Sequence, residues 1–186
     1  MVVSGLPRTG TSMVMGMLEA GGLEVVSDDV RVADHSNPRG YYEYERVKRL
    51  DKDTDTSWLE GARGKAIKII SFLLKHLPES NTYCVIFMHR DMDELLASQR
   101  QMLQALGEPS SPAADERLAL AYRAHLNAVH DLLSSRPCFD VLGLSYGDII
   151  GRSSDQAERI NQFLGGGLDV SKMAAVVDPA LYRNRR

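Results

Sequence analysis

The sequence predicts an α/β protein built as three layers, α/β/α, around a parallel central sheet. Three observations carry that expectation. Short β-branched runs alternate with helical runs along the whole chain. Residues 83–88, Tyr-Cys-Val-Ile-Phe-Met, form an unbroken apolar stretch, the pattern of a strand buried on both faces. And 186 residues suffice for one such core but not comfortably for two, so a single domain spanning 1–186 is expected.

Residues 1–4 are short, apolar and β-branched and read as a first strand. A glycine loop follows at once, and residues 12–20, rich in Met and Leu, read as a helix stopped by Gly21 and Gly22. Residues 23–26 are a second short strand. The stretch 27–43 is polar, with Asn37-Pro38-Arg39-Gly40 as a turn signal; a polar segment of that length in a small domain is a functional loop more often than a mere connector. Residues 44–58 are expected as a charged surface helix, 65–70 as a strand and 71–76 as a short helix before Pro78. After the apolar strand at 83–88 comes an amphipathic helix over 92–106, then a Gly/Pro/Ser hinge at 107–112. A longer helix occupies 113–133 and a strand 139–145. Ser153 with Gln156 reads as a capping box opening a helix to Leu164, which Gly165–Gly167 end.

Composition narrows the function. A net charge of −3 argues against a nucleic-acid partner, which asks for a basic excess, without excluding local basic pockets for phosphate. No apolar stretch approaches membrane length, and no charged-then-apolar leader opens the chain. Cys84 and Cys138 lack metal-ligand spacing, and Cys84, inside the apolar run, is expected to be a buried reduced thiol. A reducing cytoplasm is the expected compartment.

Gly5-x-x-x-x-Gly10-Thr11-Ser12 has the glycine spacing of a P-loop, and it lies between strand and helix as that motif requires. The expected fold is thus of the P-loop nucleotide-binding type, its backbone N–H groups and the positive end of the helix forming an anion cradle. Thr11 stands where a triphosphate-binding loop places its lysine, and a cation appears inside the loop instead, at Arg8. The strand at 83–88 runs into His89-Arg90-Asp91 and offers no carboxylate well placed for magnesium. Such a loop suits a donor with one phosphate at the 5′ position.

Pro7-Arg8-Thr9-Gly10-Thr11-Ser12 resembles the 5′-phosphosulfate loop of sulfotransferases that use 3′-phosphoadenosine 5′-phosphosulfate (PAPS), and most closely that of the tyrosylprotein and many bacterial members, which carry arginine at the cation position. Two further segments add to the resemblance. Arg90 and Ser98 have the separation of the arginine and serine that hold the donor's 3′-phosphate in that family. Leu144-Ser145-Tyr146-Gly147-Asp148 is similar to its Tyr-Glu-Asp segment, whose tyrosine lies near the adenine, although Gly147 departs from the pattern. The resemblance implies a PAPS-dependent transferase that moves a sulfuryl group to a hydroxyl (or amine) of a small molecule or peptide and releases 3′,5′-adenosine bisphosphate (PAP), with no metal required. It implies donor contacts from Pro7, Arg8, Thr9, Gly10, Thr11, Ser12, Arg90, Ser98 and Tyr146. The basic tail adds Arg183 as a residue able to close over the 3′-phosphate.

Sulfuryl transfer needs a base for the acceptor's proton and cations for the charge on the leaving phosphate. Arg8 is expected in the second role, as a fixed charge whose fork can bridge phosphate and sulfuryl oxygens. For the base, a gap-free count from Arg8 sets Ser27-Asp28-Asp29-Val30-Arg31 on the Gly-Glu-Glu-Thr-Arg of tyrosylprotein sulfotransferases. That implies Asp29 as base with Arg31 beside it. Asp28, Glu43 and His35, whose imidazole has a suitable intrinsic pKa, are the other candidates. A P-loop nucleotide kinase or phosphotransferase, or a catalytically silent nucleotide-binding module, are the competing functions.

Overall fold

The computed structural model describes residues 1–28, 30, 40–108 and 111–181. Five parallel strands, β1 (Val2–Gly5), β2 (Val25–Val26), β3 (Ala66–Lys68), β4 (Tyr83–His89) and β5 (Phe139–Ser145), form one sheet in the order β2-β3-β1-β4-β5. The expected α/β class and parallel sheet are thus observed. β1 is central: Val2 and Val3 pair with Ile67 and Lys68 on one side and with Val85 and Ile86 on the other. Because β2 and β3 lie to one side of β1 and β4 and β5 to the other, the order reverses there. In open α/β sheets, ligands bind beyond the strand ends at such a reversal.

Alternation along the strands builds the two outer layers. Val2, Ile67, Val85 and Phe87 face one way and join Val129 of α3 (Pro112–Ser135) and Leu50, Leu59 and Leu74 from the connections, the last two within 3-10 turns. Val3, Ala66, Ile86 and Met88 face the other way, onto Val14, Met15 and Leu18 of α1 (Thr11–Ala20). The same layer holds Ile149 of α4 (Tyr146–Gly151), Ile160 of α5 (Ser153–Phe163) and Met173 of α6 (Val170–Ala175). Each fully buried aliphatic side chain contributes roughly 1.5–3 kcal/mol. A third, smaller cluster of Leu6, Leu95 and Tyr122 joins the loop after β1 to α2 (Met92–Ala105) and α3.

Several elements differ from expectation. Residues 44–58 are not one helix; they hold a 3-10 turn at Val47–Arg49 and the start of another at Ser57–Ala62. The intervening Asp and Thr residues bond their own backbone more readily than they extend a helix, as where Asp55 Oδ1 accepts from Ser57 N at 2.9 Å. Val47 and Leu50 meanwhile turn into the core. The expected capping box does not form: Arg152 holds the cap position of α5 with no side-chain bond, and Ser153 is already helical. Gln156 is buried, its Oε1 accepting from Arg159 at 2.7 Å. Here α4 runs almost directly into α5, so the chain has no extended entry for a serine to cap. The strands expected at 23–26 and 65–70 shorten to Val25–Val26 and Ala66–Lys68. Cys84 is half-buried, Cys138 is buried, and both are free thiols. α6, absent from the sequence reading, is capped by Asp169, which accepts from Lys172 N at 3.0 Å. Among the described residues no helix is long and apolar enough to cross a membrane.

Candidate functional site

The site begins where β1 ends. Thr9 is buried and its hydroxyl donates to Leu6 O at 2.7 Å, closing the loop on itself. A Cβ on Gly5 would lie 2.8 Å from Met88 O, so the loop base presses directly on β4. Arg8 takes φ 70, a left-handed conformation that costs a non-glycine residue about 1–2 kcal/mol. The neighbouring contacts hold it there: Arg8 Nε donates to Ser98 Oγ at 3.1 Å, and Arg8 O accepts from Arg90 Nη1 at 3.0 Å. Gly10 precedes α1 with φ 92 and offers no side chain to cap it. The first-turn N–H groups of α1 thus receive no side-chain cap from that position, the arrangement that suits an anion.

Gly10 is also where Tyr146 rests. A Cβ there would come within 2.5 Å of Tyr146 Cδ2, and the Arg90 guanidinium stacks over the ring, 4.2 Å from its centroid. Burial pushes the Tyr146 phenol up, against the opposing effect of Arg90, so the ring presents a neutral face at neutral pH. Gly10→Ala is expected to lower stability by the left-handed strain of about 1–2 kcal/mol plus the displacement of Tyr146, read as a lower urea unfolding midpoint; an unchanged midpoint would mean that the ring and loop are not locked together.

Among the described residues, three cations converge on this loop. Two, Arg8 and Arg90, were expected from the sequence. The third is Lys68, at the carboxyl end of β3 and 8% exposed. Its position on the α1-facing side of the strand carries Nζ to 3.4 Å from Ser12 Oγ and 4.0 Å from Glu43 Oε1, and Nζ donates to Tyr41 O. The available signal was a lone lysine within the apolar run Ala66-Ile67-Lys68-Ile69-Ile70, a residue type that is rarely buried without a partner.

A cleft of about 1570 Å³ opens over the loop. Of the residues singled out from the sequence, Pro7, Arg8, Gly10, Thr11, Ser12, Glu43, Arg90, Ser98 and Tyr146 line it, while Thr9 supports it from below. Arg90 and Ser98 flank Arg8, one bonded to its carbonyl and the other to its side chain. Asp91, the carboxylate nearest the end of β4, caps α2 by accepting from Asp93 N and Glu94 N. Asp28 lies outside the lining: its carboxylate accepts from Glu45 N at 2.5 Å and from Val30 N at 3.2 Å, and its N–H donates to Glu43 O. Asp28 thereby clasps the segment that presents Glu43, whose carboxylate lies 3.0 Å from Lys48 Nζ. Glu45 and then Glu43 hold the Lys48 ammonium above its usual value. Asp29, Arg31, His35, Arg183 and the turn at Asn37-Pro38-Arg39 lie outside the described residues.

Arg90 and Glu94 form a buried pair, Nε to Oε2 at 3.3 Å with both side chains under a tenth exposed. Removing one member of such a pair costs about 3–5 kcal/mol because the other charge stays behind. Arg90→Ala is therefore expected to lose stability in a denaturant titration, and Arg90→Ala/Glu94→Gln to regain part of it. Full stability of the single variant would contradict the pairing.

No protein-family model matches the chain, and no curated protein matches its sequence. Solved structures do. The chain aligns over its full length with 68% of the sulfotransferase STF9 from Mycobacterium avium, at a TM-score of 0.57 and 15% identity. It shares the fold of that enzyme. A sugar kinase from Janibacter sp. HTCC2649 aligns over 97% of this chain and 95% of its own, at 14% identity and a TM-score of 0.46, a looser likeness.

Proposed function

We propose that the cleft is a PAPS site and that the protein transfers the sulfuryl group to a hydroxyl acceptor. The observation that carries this reading is the position of Lys68. In a triphosphate-binding P-loop, the Ser or Thr after the lysine ligates magnesium. Ser12 occupies that place in the spacing from Gly5, and the Lys68 ammonium lies 3.4 Å from its hydroxyl. A built-in cation where the metal would sit, together with Thr11 in the lysine slot, suits a phosphosulfate better than a magnesium-bound triphosphate. The shared fold supports a transferase of this type without naming its substrates.

In this reading, the α1 N–H groups, Arg8 and Lys68 surround the 5′-phosphate, Arg90 and Ser98 take the 3′-phosphate, and Tyr146 lies beside the adenine. The acceptor oxygen bonds to sulfur as the bond from sulfur to the bridging oxygen breaks. The electron pair of that bond goes to the phosphate of PAP, and the acceptor's proton goes to the Glu43 carboxylate. Arg8 and Lys68 act where negative charge grows, as fixed charges that need no reorganisation. Glu43, approached by the ammonium groups of Lys48 and Lys68, is the described carboxylate of the candidate set that lines the cleft.

Turnover tests the proposal: PAP release from PAPS with a hydroxyl acceptor, in EDTA. Acceptor-dependent release is expected. Phosphoryl transfer from magnesium-ATP without any PAPS turnover would favour the kinase reading, and PAP binding without turnover on any acceptor would favour the silent module. A companion test concerns the 3′-phosphate. In the Arg90→Ala/Glu94→Gln background, PAP is expected to lose about 1.5–3 kcal/mol of binding while adenosine 5′-monophosphate loses little. Equal losses would assign Arg90 to the fold.

A further inference from the structure

α3 buries one side and leaves the other unlike an ordinary solvated face. Ala119, Tyr122 and Val129 turn inward. On the far side Leu120, Ala124 and Ala128 recur at four-residue steps with Ala121 beside them, which sets them on one face of the helix. All four are exposed, Leu120 by 66%. A helix with one side in solvent ordinarily carries polar and charged residues there, as α5 does with Asp155, Glu158 and Arg159. On α3 an apolar strip faces outward instead.

The charges within this strip stand at its two ends. Arg117 lies about two turns before Ala124 and Asp131 about two turns after it, each within about 20° of the direction of Ala124 at 3.6 residues per turn. Both are exposed, the Asp131 side chain by 86%. Arg117 forms no ion pair among the described residues, and Asp131 has the imidazole of its neighbour His130 at 3.9 Å. Glu116 and Arg123 sit about a quarter turn to one side. Opposite charges at equal distances from a small residue make the strip complementary to itself. Two copies laid antiparallel, with the two-fold axis at Ala124, bring Arg117 of each against Asp131 of the partner subunit, so one geometry forms both pairs, as an isologous contact demands. Leu120 then lies over Ala128 of the partner subunit, and the alanines at the centre let the helix axes approach to about 8 Å.

We infer that the outer face of α3 is the contact between two copies of this chain, closed by Leu120 and the alanines and set in register by two symmetric Arg117–Asp131 pairs. A single helix pair falls at the low end of interface sizes, below about 1,200 Å², so the dimer is concentration-dependent. Tyr122, on the inner side of the same helix, lines the cleft; the contact therefore lies behind the helix and leaves both clefts open. The inference stands apart from what the cleft binds.

Sedimentation equilibrium of the full chain, from micromolar to millimolar concentration, tests it. A monomer–dimer equilibrium is expected for the native chain. Arg117→Glu and Asp131→Arg each set like charges together twice, and each is expected to weaken self-association about tenfold or more. An equimolar mixture of these two variants is expected to associate as the native chain does, because every acidic end then meets a basic one, and the double variant Arg117→Glu/Asp131→Arg is expected to recover for the same reason. Ala124→Glu, at the axis, is expected to be monomeric. All these positions are exposed, so helical circular dichroism and PAP affinity should match the native chain in every variant. A native chain that stays monomeric at millimolar concentration overturns the inference and leaves the face to a different partner. A dimer unmoved by the charge reversals or by Ala124→Glu, or one that the mixture does not restore, places the contact elsewhere and overturns it equally.

Discussion

Glu43→Gln is expected to cut PAPS turnover by roughly 10²–10⁴-fold, the usual contribution of a positioned base, with PAP affinity nearly unchanged. The substitution keeps the shape of the side chain and removes its basicity. Glu43 is suited to the role by its support: Asp28 N and Ser27 Oγ donate to its backbone carbonyl at 3.1 and 3.3 Å, and Lys48 and Lys68 approach its carboxylate from two sides. Those contacts fix the segment, so the variant should fold with an ordinary unfolding midpoint. Steady-state kinetics with saturating PAPS read the effect in kcat. If kcat survived, the proton would go elsewhere, and Asp29→Asn would be the next variant to assay.

Lys68→Met is expected to lower kcat by about 10²–10³-fold, comparable to losing one preorganised donor at a developing anion. Methionine matches the length of the buried stem but removes one member of the Lys68–Glu43 pair, a loss that costs up to about 3–5 kcal/mol where the other charge stays buried, so turnover is read well below the variant's own unfolding midpoint. A loss of turnover in the folded variant assigns Lys68 to the chemistry. A variant that unfolded, or one that kept full turnover, would reduce the lysine to a structural tie between Ser12, Tyr41 and Glu43.

Much of this architecture is legible in the sequence because local and tertiary signals agree. Residues 83–88 read as a buried strand since β4 is covered along both faces up to Met88, and Gly10, marked by the glycine spacing of its loop, takes the left-handed φ of 92. The helix expected at 44–58 is wrong for a physical reason: its charged composition fits a surface helix, but Asp and Thr side chains compete for the backbone, and Val47 and Leu50 are drawn inward. α6 escapes notice because its six residues are too short to show a period, and it is held by Met173 packing against Gly21. The candidate site divides in the same way. Arg8, Arg90 and Ser98 lie at motif spacing, so the sequence marks them. Lys68 and Glu43 meet across segments distant in the chain, and only the pairing of β3 beside β1 brings the lysine to the loop. Asp28, a candidate by counting alone, is a clasp for the backbone of Glu45 and Val30.

The central claim is that this P-loop holds a phosphosulfate nucleotide with Lys68 in the place of a metal. Calorimetric titration with PAP, first in EDTA and then in excess magnesium, tests it most directly. The account predicts one site with the same affinity in both buffers, and weaker binding of ATP in either. Binding of PAP that appears only with magnesium, or tight binding of magnesium-ATP with none of PAP, would contradict it.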